Sequence, residues 1–173
     1  MLFRTHILFA LVIFMLFVFN SSLTTINKII FFIVFIIAAA FPDIDTPKST
    51  IGKKTRPISN TINVLFGHRG FFQSLTFVIA LVIILLLVNF PKIIVLSFAT
   101  GYSSHLLLDM LTKTGICVFW PLKTQVKGPL KTGSLTETFL FIFLSLGFIA
   151  LIIKNFRTFK EIVSSVIETI FSS

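Results

Sequence analysis

The feature that most restricts this chain is a succession of five apolar runs, residues 7–23, 29–41, 71–90, 93–111 and 139–153, divided by polar punctuation. A bilayer's hydrocarbon core is ~30 Å thick and about 20 apolar residues of helix cross it, so each run is a candidate spanning helix. The second and fifth runs are short, and need flanking residues or a thinned bilayer to cross. Pro42 closes the second run and Pro91 divides the third from the fourth, because proline clashes with the preceding turn and donates no hydrogen bond. Composition points the same way. Charged residues make up 12% of the chain and hydrophobic ones 55%, with 23 Phe against one Trp and one Tyr, whereas a soluble domain carries about 25% charge. A water-soluble globule is thereby excluded. The first run imitates a signal peptide, but it lacks an Ala-x-Ala-like cleavage site and a second run follows at once, so it is read as a span. The expected fold class is all-α: a multi-pass helical membrane domain over residues 1–153 with five spans, then an amphipathic helix over residues 154–173.

In that last segment Phe156, Phe159, Ile162, Val163, Val166, Ile167, Ile170 and Phe171 recur at three- and four-residue steps. Arg157, Lys160, Glu161, Ser164, Ser165 and Glu168 fill the other face. Such a helix lies in the membrane interface or packs on a partner subunit, and oligomeric state is left open. Net charge is 15 Lys+Arg minus 6 Asp+Glu, or +9. In a membrane protein this excess reports topology and contact with anionic lipid head groups before nucleic acid, which is not an expected partner. Five spans put ten Lys/Arg on the side of the N-terminus and five on the other. The expected location is the cell membrane, with the N-terminus and both long loops, residues 43–70 and 112–137, in the cytoplasm. Lys48, Lys53, Lys54 and Arg56 in the first loop suit a solvated positive face or an anionic head group. Trp120 is placed to anchor the second loop at the interface. A single cysteine, Cys117, excludes an intramolecular disulfide and a cysteine-based zinc site.

Ionisable residues near spanning helices are expensive and point to function. Here they are His6, Asp43, Asp45, His68, His105 and Asp109, and the five-span arrangement puts all six at the cytoplasmic ends of their helices. His105 and Asp109 stand four apart, one turn along a single helix face, a spacing that lets both bind one metal or lets the carboxylate orient the imidazole. A helix-stabilising pair is the plainer alternative. Asp43 and Asp45 are alternate residues of Phe-Pro-Asp-Ile-Asp; in extended chain both carboxylates face one way, toward one metal or flanking two. A hydrated helix exit would look the same. His68 lies in Gly-His-Arg-Gly, where glycines permit close backbone approach and Arg69 suits a phosphate, a carboxylate or a lipid head group.

Three motifs together carry a resemblance: Phe-Pro-Asp-Ile-Asp-Thr-Pro-Lys-Ser at 41–49, Gly-His-Arg-Gly at 67–70, and Gly-Tyr-Ser-Ser-His-Leu-Leu-Leu-Asp-Met-Leu-Thr at 101–112 followed by Phe-Trp-Pro. With His6 ahead of them, and in this order from about His6 to Pro121, they resemble the YdjM-like family of membrane-bound proteins taken to be metal-dependent hydrolases. That family is remotely similar to zinc-dependent phospholipase C and P1-type nucleases. The resemblance implies a metal site made from His6, Asp43, Asp45, His68, His105 and Asp109, and phosphoester chemistry. Two departures stand out: Thr46 where members commonly carry His, and Phe72-Gln73 where they carry Thr-His. Gln73 still offers a carbonyl oxygen, whereas Phe72 offers no ligand.

The expectation is therefore a divalent metal, zinc by its mixed imidazole and carboxylate ligands, at the cytoplasmic membrane surface. Water activated there would attack an ester or phosphoester of an amphiphilic substrate. An aspartate off the metal, Asp43 or Asp45, would act as base, and Arg69 with Lys53 or Arg56 would neutralise an anionic group. An ion transporter and a non-catalytic scaffold with a degenerate metal site are the alternatives.

Overall fold

A computed structural model describes residues 1–45, 71–122 and 124–171 of the chain. Helix α1, Phe3–Ile13, runs into a π-helical turn, Phe14–Val18. Asn20 and Ser21 then donate side-chain hydrogen bonds to the Met15 and Val18 carbonyls, satisfying the end of the helix and stopping it. Helix α2, Thr25–Ala40, tightens into a 3-10 turn, Phe41–Asp45. Helix α3, Leu75–Leu87, begins where the Ser74 hydroxyl accepts from the Phe77 N–H. It ends before Asn89, whose φ of 54° is left-handed. Helix α4, Lys92–Met110, starts after Pro91, and α5, Leu135–Lys154, is followed after Asn155 by α6, Phe156–Phe171.

Among the described residues three helical stretches are long and apolar enough to cross a membrane: Thr25–Asp43, Lys92–Met110 and Leu135–Lys154. The shorter apolar ones are Phe3–Val18 and Leu75–Leu87. This inverts the lengths expected from the sequence, in which the second and fifth spans were the short ones. Helix propagation needs compatible backbone and not hydrophobicity, so α2 begins before its apolar run at Thr25 and α5 begins at Leu135. Conversely, residues 71–74 form a bend and a cap, which takes four positions from the third run.

Helices α2 and α4 pack most extensively. They run parallel, and their contact depends on Gly101, where a Cβ would lie 2.3 Å from the Phe35 carbonyl oxygen. One side of the pair holds Ala10, Phe14, Met15, Val18 and Phe19 against Phe31, Phe35 and Ala39. The other holds Ala38, Val78, Tyr102, Leu106 and Ile116. Ser97, Thr100 and Ser104 in α4 donate to carbonyls one turn back, so their hydroxyls cost little in an apolar helix. The outward faces stay apolar: Phe17, Leu87, Phe143 and Ile153 are each more than 70% exposed. An outer surface of that kind suits lipid.

The segment expected as a polar loop over residues 112–137 contains a small antiparallel ribbon, Ile116–Cys117 (β1) with Gln125–Val126 (β2), and gives its last residues, from Leu135, to α5. Two further backbone bonds, Lys113 N–H to the Leu130 carbonyl and Gly128 N–H to the Thr112 carbonyl, fold the segment over the end of α4. Gly128 is required there, since a Cβ would meet the Leu111 backbone at 2.3 Å. Trp120, half exposed, packs edge-on against Phe71 with ring centroids 5.2 Å apart. The amphipathic segment is helical as expected, with Phe156, Ile167 and Phe171 exposed.

Candidate metal centre

Helices α2 and α4 end where α1, α3 and α5 begin, so the starts and stops of five elements gather at one end of the molecule. The polar residues singled out in the sequence collect there. His6 comes from the first turns of α1, Asp43 from the 3-10 turn after α2, and His105 and Asp109 from the last turns of α4. Ligand atoms of His6, His105 and Asp109 all lie within 4.8 Å of one another. The two imidazoles stack with centroids 3.7 Å apart and planes 7° from parallel. His6 Nε2 is 3.3 Å from Asp109 Oδ1, and His105 Nε2 is 3.4 Å from Asp109 Oδ2 and 3.8 Å from Asp43 Oδ1. His6, His105 and Asp109 are all but fully buried, while Asp43 retains some exposure.

The hydrogen bonding of His105 shows what this arrangement can hold. Its Nδ1 donates to the Ala39 carbonyl oxygen at 2.7 Å. A carbonyl only accepts, so Nδ1 carries the hydrogen, and in a neutral ring the lone pair is left on Nε2. Nε2 faces the carboxylates of Asp109 and Asp43, so three potential ligand groups turn toward one place. Backbone geometry provides the carbonyl. In the tighter winding after Ala40 each carbonyl looks to the residue three ahead, and for Ala39 this is Pro42, which has no N–H. Among the described residues His6 Nδ1, His6 Nε2 and His105 Nε2 make no hydrogen bond although they are buried. Each such atom costs about 1–3 kcal/mol. A fold does not collect several at one point for stability. Imidazole nitrogens and carboxylate oxygens gathered in this way fit a divalent metal, and the ring of His105 is oriented through Nδ1 by a backbone carbonyl as metal-binding histidines commonly are. The Met1 ammonium also reaches Asp109 Oδ1, at 2.9 Å.

Of the six residues expected as ligands, four therefore lie together: His6, Asp43, His105 and Asp109. The side chain of Asp45, and the whole of His68, Arg69, Thr46, Lys48, Lys53, Lys54 and Arg56, lie outside the described residues. Gln73, one of the departures from the family pattern, is buried and its Nε2 donates to the Pro42 carbonyl at 3.4 Å, beside Asp43. Phe72 contributes its carbonyl, which accepts from the Tyr102 hydroxyl at 2.6 Å, and its ring packs on Phe77. Sequence reasoning passed over Glu137, which is buried and bonded to the start of α1. The signal was available: it is an acid at the threshold of an apolar run, assigned instead to the end of a polar loop.

No solved structure matches the chain. It is 36% identical over 113 residues to the inner membrane protein YdjM of Escherichia coli K12 and, to the same extent, to that of Shigella flexneri, covering 61% of this chain and 58% of each relative. It is 37% identical over 103 residues to the uncharacterized protein YvsG of Bacillus subtilis 168, covering 58% of this chain and 64% of the relative. The aligned part thus spans less than two thirds of these relatives' own length. The model of the YdjM inner membrane protein family matches residues 1–171, and the chain belongs to that family.

Proposed function

We propose that the protein is a membrane-bound, metal-dependent hydrolase acting on an ester or phosphoester of an amphiphilic substrate. The observation that carries this reading is the convergence of His105 Nε2, its ring fixed by the Nδ1 bond to Ala39, with the carboxylates of Asp109 and Asp43 and the buried imidazole of His6. His6, His105 and Asp109 would hold the ion, zinc by ligand type, with Asp43 at its edge. A divalent metal supplies Lewis acidity, polarising an ester or phosphoryl oxygen and making water a competent nucleophile near neutral pH. Asp43 is the most accessible of the four, and holds the proton taken from water as general base. Arg69, and Lys53 or Arg56, would balance an anionic substrate group. The N-terminal end, which carries the centre, faces the cytoplasm in this reading, and anionic lipid head groups are the natural neighbours.

Burial of His6, His105 and Asp109 to within 2% of full favours one other reading, a structural ion in a non-catalytic scaffold. Transport fits less well. Away from the centre the cavity between α1, α2 and α5, about 310 Å³, is lined by Leu11, Phe14, Met15, Ile29 and Phe32, and Lys28 is the one charged residue among the described ones on its wall. The test is hydrolysis of phospholipid esters and phosphodiesters by zinc-loaded protein in vesicles. Asp43→Asn should lower kcat by roughly 100-fold or more with metal content unchanged. Metal-loaded parent protein that hydrolyses none of these substrates would leave the scaffold reading in possession.

A further inference from the structure

Helix α1 brings His6 to the centre, yet it begins without a cap of its own. Leu2 at its N-cap offers no side-chain acceptor, and its first turn contains no acid. The unpaired N–H groups of a helix start need an acceptor, and a negative charge there is favoured by the helix dipole. Both come from another helix. Glu137, in the first turn of α5 and 1% exposed, accepts from the Leu2 N–H at 2.7 Å and from the Thr5 hydroxyl at 3.0 Å through Oε1. Through Oε2 it accepts from the Gly133 N–H at 2.7 Å, closing the start of its own helix. One carboxylate thereby fastens two helix starts together, and Arg4 adds a second tie between the same elements, its guanidinium 5.0 Å above the Phe141 ring. Thr5 and His6 are adjacent in the chain, so whatever fixes the one fixes the other.

We propose that Glu137 is the positioning residue of the metal centre: it touches none of the ligands, and it sets the affinity for the ion by holding the first turn of α1 where His6 meets His105 and Asp109. This inference rests on the metal-centre reading. A carboxylate is needed because three donors converge on it. An amide at 137 keeps one accepting oxygen, and its NH₂ then confronts either the Gly133 N–H or the Leu2 and Thr5 donors.

The test uses full-length protein in detergent, titrated with zinc against a competing chelator and examined as the cobalt form by absorption. Glu137→Gln should weaken zinc binding roughly 10- to 100-fold and alter the cobalt spectrum. Thr5→Val, which removes a single bond, should weaken it less and covers the case in which Glu137→Gln does not fold. Glu161→Gln, an exposed acid on α6, should leave binding unchanged. In a His6→Ala background Glu137→Gln should cost nothing further, because its effect runs through His6. Zinc affinity and a cobalt spectrum unaltered by both Glu137→Gln and Thr5→Val would overturn the proposal, as would losses at 6 and 137 that multiply in full. Hydrogen exchange separates this from the reading beneath it. If the parent binds no metal the metal centre falls, and faster exchange of the α1 first-turn amides in Glu137→Gln would still establish the clamp, whereas unchanged exchange would overturn it too.

Discussion

At the scale of single residues, the centre is organised by which lone pairs remain open. Asp109 and Asp43 supply carboxylate oxygens, His105 supplies Nε2 only because its Nδ1 is committed to Ala39, and that commitment exists because Pro42 leaves the Ala39 carbonyl available. A prediction follows at Pro42. Pro42→Ala restores an N–H three residues after Ala39, which competes with His105 for the carbonyl, frees the ring to exchange tautomers and lowers metal affinity by roughly 10- to 100-fold. A chelator-competition titration reads the change, and unaltered affinity would show that the tautomer is not held this way. The pairing of His105 with Asp109 was legible from the four-residue spacing, and so was the approach of His6, because an ionisable side chain beside an apolar run seeks company of its own kind. Two things were not legible. The service of Glu137 to another helix depends on which helix starts lie side by side, and the opening of Ala39 depends on a local change of winding that no periodicity encodes.

At the scale of elements, the centre needs α2 and α4 close enough for a backbone carbonyl of one to meet an imidazole of the other. A Cβ on Gly101 would collide with the Phe35 carbonyl, and four residues further along both helices His105 meets Ala39. Equal steps on parallel helices keep the contact in register. Gly101→Val places branched carbon where the Phe35 backbone lies and forces the helices apart. It should destabilise the protein by about 1–3 kcal/mol in a thermal unfolding series in detergent, and lower metal affinity together with stability. Wild-type melting in the variant would mean that the helices have room there. The five apolar runs announced helices at the right places, but the extents differ because capping at Ser74 and the stop at Asn20 and Ser21 decide where the helices start and end, independent of hydrophobicity. The ribbon at Ile116–Cys117 and Gln125–Val126 escaped notice because two-residue strands carry no alternation to detect.

At the scale of the whole molecule, polar chemistry is gathered at one end and the flanks are bare Phe, Leu and Ile, the distribution expected of a protein of the inner membrane family to which this chain belongs. Charge sets the expected orientation: with ten Lys/Arg against five on the other side, the end bearing the centre and Cys117 should face the cytoplasm. A membrane-impermeant maleimide should label Cys117 in inverted vesicles and not in intact cells. Because Cys117 is partly covered within the ribbon, a reporter fused after Thr114 provides the second reading. Labelling from outside intact cells would reverse the orientation and place the end bearing the His6, His105 and Asp109 cluster on the far side of the membrane.

The central claim is that the buried cluster holds a divalent metal, and elemental analysis of protein purified without chelator tests it most directly. Stoichiometric metal is expected in the parent and its loss in both His105→Ala and Asp109→Ala, with each variant still inserted in the membrane because apolar packing between the helices is untouched. A parent that carries no metal and takes up none when offered zinc, or variants that retain the parent's full content, would contradict the claim.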